Sequence, residues 1–226
     1  MARRTPAARP SRMLPADRRT QILEAARRLL EFRPVDELSV ESVAREAGVS
    51  PGLLFHYFGS QRTFRQAVLE AAAEELLAHV RPDPALSPAE QLRAGITTFT
   101  DYVTRYPAVY RAVTRLGTAA GVRTLHRSAR STLAGWLNAA LTAAGAPATP
   151  AVTLAVTGWL ACMEEIVLAW LDDPTTDRAA LEALCERSFY QLIRAALDDE
   201  DRWLLLRKRV TVRPPAPRPD EPPPAG

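Results

Sequence analysis

Cysteine is scarce. The 226-residue chain has two, Cys162 and Cys185, far apart and without a C-x-x-C pair. That excludes a disulfide framework or a zinc ribbon and makes a reduced, cytoplasmic setting the expectation. Long hydrophobic runs are missing as well. The stretch free of charge from Ser131 to Met163 is broken by Asn138, Gly145, Pro147 and Pro150, whereas a membrane span needs about 18 or more apolar residues in a row, so no membrane partner is expected. The N-terminus is basic but lacks the apolar core of a secretory signal. The three histidines, His56, His79 and His126, have no metal-ligand spacing. No glycine-rich phosphate loop or nucleophile elbow occurs either. The chain is therefore expected to have no catalytic residues, no metal and no cofactor. Lysine is nearly absent, Lys208 being the only one among 29 cationic residues. A GC-rich genome gives the same skew, so arginine abundance alone carries no argument for a polyanion partner.

Hydrophobic residues make up 47% of the chain, enough for a packed core. The net charge of +3 is small, but six arginines (Arg3, Arg4, Arg9, Arg12, Arg18 and Arg19) stand in the first 20 residues against one acid, Asp17. With Pro6, Pro10 and Pro15 and no helical period, residues 1–16 read as a flexible basic arm suited to a polyanion. At the other end, Arg213 to Gly226 holds seven prolines, and residues 198–226 read as a Pro-rich tail. Between the ends the apolar period is helical almost throughout, apart from a strand-like run at Val210–Val212. The predicted fold is all-α with about nine helices.

A first helix is expected from Asp17 to Arg33, on the stripe Ile22, Ala26, Leu29 and Leu30, and stopped by Pro34. Ser39 is a good N-cap for a second helix, and Gly48 ends it where a left-handed residue is wanted. Ser50 caps a third helix two residues later, with Pro51 at N1. Ser60 caps a fourth, running to about Val80. Two short helices about a glycine turn make a helix-turn-helix. Ala44 is small where the third helix crosses, and Leu54 plugs the space between the helices.

The segment TQILEAARRLLEFRPVDELSVESVAREAGVSPGLLFHYFGSQRTFRQAVLE resembles the N-terminal domain of the TetR family of bacterial transcriptional repressors, and AREAGVSPGLLFHYF is its most specific part. The resemblance implies a homodimer whose first three helices (in a domain of residues 17–80 with connecting helix 4) bind a double-stranded DNA operator. It also implies a domain of residues 81–197 that dimerises and binds a small effector. Pro51, Gly52 and Leu53 then begin the recognition helix, with Phe55 and His56 further along its exposed side. Tyr57, Ser39 and Ser50 suit phosphates. Gln61 stands where the family often has lysine, leaving Arg62 and the arm to supply charge, and Arg45 is a further contact. Phe55 replaces a frequent tyrosine. Leu54 and Phe58 are expected in the core.

Further helices are expected at Pro88–Arg105, about Ala108–Gly117, about Gly121–Ala144, Pro150–Leu171 and Asp177–Leu197. The helix from Pro150 is apolar nearly all round. One face is expected against its own chain and another against a symmetry mate, paired with the stripe Leu181, Leu184, Cys185, Ser188, Phe189 and Leu192. Phe99, Tyr102, Tyr106, Tyr110 and Trp136, with Trp159 and Met163, are the candidate lining of a pocket for a mostly apolar effector. Glu164 or Glu165 needs a partner if buried, with Arg111 and Arg115 as candidates. A helical protein-interaction regulator acting on a protein partner is the competing reading.

Overall fold

The computed structural model describes residues 15–33, 37–115 and 120–213. The arm before residue 15, Pro34, the Arg115 side chain and residues 214–226 of the tail lie outside the described residues. Among the described residues there are ten helices and no strand, an all-α fold. They are α1 (Pro15–Leu30), α2 (Val40–Ala47), α3 (Pro51–Phe58), α4 (Gln61–His79), α5 (Pro88–Arg105), α6 (Pro107–Arg115), α7 (Ala120–Ala143), α8 (Pro150–Asp172), α9 (Arg178–Leu197) and α10 (Glu200–Arg209). Two compact units result, divided within α4 between Ala71 and Ala72.

The first unit is built on Ile22, Leu30, Leu38, Val43, Leu54 and Phe64, all fully buried. α1 stops at Leu30, short of the expected Arg33, once its last core residue is placed. Glu31 and Phe32 bond back to the carbonyls of Arg28 and Leu29 in a tighter turn. Gln21 Nε2 donates to the Ala47 carbonyl at 2.9 Å and so ties α1 to the end of α2. Both caps form as the sequence implies. Ser39 Oγ accepts from the Ser42 N–H at 3.1 Å, and Ser50 Oγ from the Leu53 N–H at 3.2 Å. Gly48 takes φ 65° and its N–H reaches the Arg45 carbonyl, while Val49 N–H reaches that of Ala44. The chain thereby reverses in two residues, and Ala44 and Leu54 are buried where the helices cross.

In the second unit α5 opens on a complete capping box. Ser87 Oγ accepts from Glu90 N–H, and Glu90 Oε2 accepts from Ser87 N–H at 2.9 Å. α8 packs against both α7 and α9. It is long and apolar enough to cross a membrane by length and composition, which corrects the expectation drawn from unbroken runs. One glycine, Gly158, and two threonines, Thr153 and Thr157, interrupt the run without making the helix polar. Its Val152, Val156, Trp159, Met163 and Val167 are buried inside the protein, as in a core helix.

The expected tail from residue 198 is corrected over its first part. α9 ends at Asp198 in the left-handed region, Asp199 caps α10, and Trp203, Leu206 and Val210 are buried. The run Val210–Val212 is a turn rather than a strand, closed by Val210 N–H to the Leu206 carbonyl. Three consecutive leucines and a dense charge pattern hide the helical period of α10. Arg213 then grips Glu90 with two parallel bonds, Nη2 to Oε1 at 2.6 Å and Nε to Oε2 at 3.0 Å.

Two outcomes are expected. Nothing lies within 4 Å of a Cβ added to Gly48, so Gly48→Ala is opposed by the positive φ alone. It should lower stability by about 1–2 kcal/mol in urea unfolding, with Gly48→Asn costing less. The Arg213 bonds, and then those from Ser87, lower Glu90 from its ordinary 4.5 to about 2. A carboxylate lowered on folding stabilises above its unfolded value and loses that contribution as pH falls toward the folded one. Glu90→Gln should therefore be less stable than the parent at pH 6, and the gap should close between pH 4.5 and pH 2.

Candidate nucleic-acid interface and apolar cavity

The outward side of α3 carries Pro51, Gly52, Phe55 and His56, all exposed, with Leu53 and Tyr57 half-buried beside them. His56 and Tyr57 meet edge to face at 5.5 Å between ring centroids. Leu54 and Phe58 point inward, and Phe58 sits between the Phe64 ring at 5.1 Å and the Arg19 guanidinium at 5.3 Å. Arg45 on α2 and Gln61 and Arg62 at the start of α4 are exposed. Gln61 Nε2 donates to the Leu38 carbonyl at 3.4 Å, so its amide is partly engaged within the unit. The Ser39 and Ser50 oxygens are occupied as helix caps, which leaves each hydroxyl proton to a second partner. The face thus offers apolar contact at its leading turn, with hydrogen-bonding groups at Tyr57, His56 and the serines. Arg45 and Arg62 supply positive charge.

The second unit contains an apolar cavity with about 80 Å³ of free interior space. Of the seven aromatic and sulfur side chains read from the sequence as a pocket, Phe99, Trp136, Trp159 and Met163 line it. Tyr102, Tyr106 and Tyr110 are not on its wall, which corrects that part of the expected lining. Tyr102 donates its hydroxyl to the Ala72 carbonyl at 2.9 Å and packs on Tyr106 at 5.0 Å. Tyr110 lies behind Phe99, ring to ring at 5.4 Å. Burial raises its phenol pKa well above the usual range, so it stays protonated. The rest of the wall is mostly aliphatic, including Leu76, Leu92, Ile96, Leu133 and Leu137, with Gln91 its one amide. The sequence reading passed over these because an aliphatic residue on a helix carries no mark separating a cavity wall from a core.

Trp159 is held rigidly. Its indole N–H lies 3.0 Å from the Cys185 carbonyl and 3.2 Å from Ser188 Oγ, and its ring meets Phe189 edge to face at 5.0 Å. Cys185 is buried beside it, and burial pushes its thiol up to about 11. It faces its own chain, which corrects its place in an intersubunit stripe. Glu165 is exposed, whereas Glu164 is half-buried. Its partners are His126 Nε2 at 2.9 Å and Arg130 Nε at 3.7 Å, both on α7. Arg111, expected to pair with it, instead binds Asp172 and the Leu171 carbonyl at the end of α8. Among the described residues no group of three or more His, Cys, Asp or Glu side chains is placed to hold a metal ion.

Residues 22–68 match the family model of the bacterial regulatory proteins, tetR family. The chain is 35% identical over 108 residues to the HTH-type transcriptional regulator EthR of Mycobacterium tuberculosis, covering 46% of this chain and 48% of that one. It is 31% identical over 80 residues to the HTH-type transcriptional regulator BetI of Stenotrophomonas maltophilia, covering 34% and 41%. The match thus spans about half the length of these curated relatives or less. Among solved structures, a tetR-family transcriptional regulator from Streptomyces coelicolor has a TM-score of 0.77 at 25% identity, covering 88% of this chain and 90% of that one. A transcriptional regulator from Pseudomonas aeruginosa shares the fold at a TM-score of 0.64 and 20% identity, over 83% and 96% of the two chains. Together with the cap, turn and crossing geometry of α2 and α3, these matches identify residues 22–68 as a helix-turn-helix region of the kind found in the bacterial regulatory proteins of the tetR family.

Proposed function

We propose that the protein is a cytoplasmic, homodimeric transcriptional repressor that binds a palindromic DNA operator and is released by a small, mostly apolar effector. The observation that carries this reading is the capped helix-turn-helix with the whole outer side of α3 open to a major groove. The regulators named among its relatives point the same way. In this reading Leu53 meets a thymine methyl and Gly52 lets the backbone approach a base edge. Tyr57, Ser39, Ser50, Gln61, Arg62 and Arg45 hold phosphates, and Phe55 and His56 flank the groove. The arm before residue 15 adds charge.

Dimerisation is supported by the outward faces of α8 and α9. Leu154 is 70% exposed, Leu184 44% and Leu192 36%, alongside exposed Gly158, Ala161 and Cys162. Small and apolar residues on two adjacent helices make a surface that a second copy of the chain can cover. The cavity, lined by Phe99, Trp136, Trp159 and Met163, supports the effector reading, since it offers apolar area and little polarity.

A gel shift with DNA from upstream of the protein's own gene, against random competitor, tests the whole reading. Retention no better than the competitor's would favour the protein-interaction alternative. Two variants sharpen the test. Leu53→Ala should cost on the order of 1 kcal/mol at one base pair and leave random DNA unaffected, whereas Tyr57→Phe should weaken specific and random binding alike. Ala161→Arg places a charge on the proposed interface and should raise the dimer dissociation constant on the order of 100-fold in sedimentation equilibrium. A monomeric parent chain at micromolar concentration would overturn the dimer.

A further inference from the structure

We propose that Gln91 is the specificity-determining residue of the effector cavity, and that the effector is a compact, neutral molecule with a hydrogen-bond donor, such as a hydroxyl, that bonds to Gln91 Oε1. The proposal rests on the reading of the cavity as an effector site and goes on to name the effector's polar chemistry and the side chain that reads it.

The free interior space of about 80 Å³ holds on the order of six water-sized groups, so the buried part of the effector is about a single ring in size. No charged side chain lines the cavity. A charged body would lose its hydration there without compensation, which selects a neutral one. Among the lining side chains only Gln91, Trp136 and Trp159 carry a nitrogen or oxygen atom. The Trp159 N–H is taken by the Cys185 carbonyl and Ser188 Oγ. The Trp136 indole N–H has no hydrogen-bond partner among the described residues. An indole only donates, so Gln91 supplies the one oxygen acceptor among the lining side chains.

Gln91 is half-buried, and its amide is held in one orientation. Nε2 donates to the Leu86 carbonyl at 2.9 Å. A carbonyl only accepts, so the amide cannot turn over without setting two oxygens against each other. Oε1 is thereby kept away from Leu86, and among the described residues no group donates to it. The base beneath the amide is firm. Leu86 N–H bonds the Asp83 carbonyl at 3.1 Å, and the next residue, Ser87, opens the capping box with Glu90, which Arg213 grips. The Gln91 N–H itself bonds the Ser87 carbonyl at 2.9 Å. An acceptor fixed in advance costs little side-chain entropy when a ligand arrives. A ligand that covers it without a donor leaves it cut off from water and unpaired, whereas a ligand with a donor satisfies it.

The test titrates the full chain with cyclohexanol, cyclohexanone, methylcyclohexane and cyclohexylammonium, read by the fluorescence of the tryptophans that line the cavity. The first three are neutral, with one ring and the same number of non-hydrogen atoms, and of these only cyclohexanol can donate. Cyclohexanol should bind roughly threefold to tenfold more tightly than cyclohexanone, and cyclohexylammonium should not bind. Gln91→Met keeps the length of the side chain and removes both polar atoms. It should weaken cyclohexanol by about the same factor and leave methylcyclohexane bound at least as tightly. The comparison of alcohol with ketone in the unaltered chain keeps the test open should the variant fail to fold. Equal affinity for alcohol and ketone, or a folded Gln91→Met chain that weakens the three neutral ligands alike, would overturn the role of Gln91 while leaving the effector cavity standing. Cyclohexylammonium binding as tightly as cyclohexanol would overturn the neutral effector. Binding of none of the four would overturn the cavity reading itself.

Discussion

A helix that is apolar on nearly every face has to be covered on nearly every face, and α8 sets that condition for the whole second unit. Its inner residues Val152, Val156, Trp159, Met163 and Val167 are covered by α7 and α9. The side that α7 and α9 leave open carries Leu154, Gly158, Ala161 and Cys162. The side toward α5 is not filled completely, and the cavity lies there, with Trp159 and Met163 as part of its wall. Core, candidate interface and candidate effector site are thus three sectors of one helix. Burying one large aliphatic side chain of this kind contributes about 1.5–3 kcal/mol relative to leaving it exposed.

The same constraint explains how polar groups on α8 are handled. Glu164 is on a half-buried face and pairs with His126 and Arg130, which α7 delivers one turn apart. Glu165, one position on, turns to solvent. The Trp159 N–H is satisfied by α9, so the indole that lines the cavity has no donor left to offer there.

The helix-turn-helix solves a different problem with short elements. α2 and α3 have eight residues each, too few to be stable alone. They depend on their caps, on the left-handed Gly48, and on Leu54 and Phe58 reaching into a core completed by α1 and α4. Because those inward residues are spaced at the helical period, the residues between them must face out, and the exposed set on α3 follows from the packing of its other side.

The sequence by itself determined the all-α fold, the caps at Ser39, Ser50 and Asp177, the turn at Gly48, and the span of α5. Each of these is local, resting on an apolar period or a side chain that bonds its own backbone within three or four residues. The inward positions of Leu54 and Phe58 were equally legible, and the family resemblance supplied the outward set on α3. Only the tertiary structure decided the rest. It took Tyr102, Tyr106 and Tyr110 off the cavity wall, gave Glu164 to His126 and Arg130 instead of Arg111, turned Cys185 inward, and made a helix of Glu200–Arg209. Those outcomes depend on which helix faces which across tens of residues, and a pattern confined to one helix shows that a face is apolar without showing what covers it.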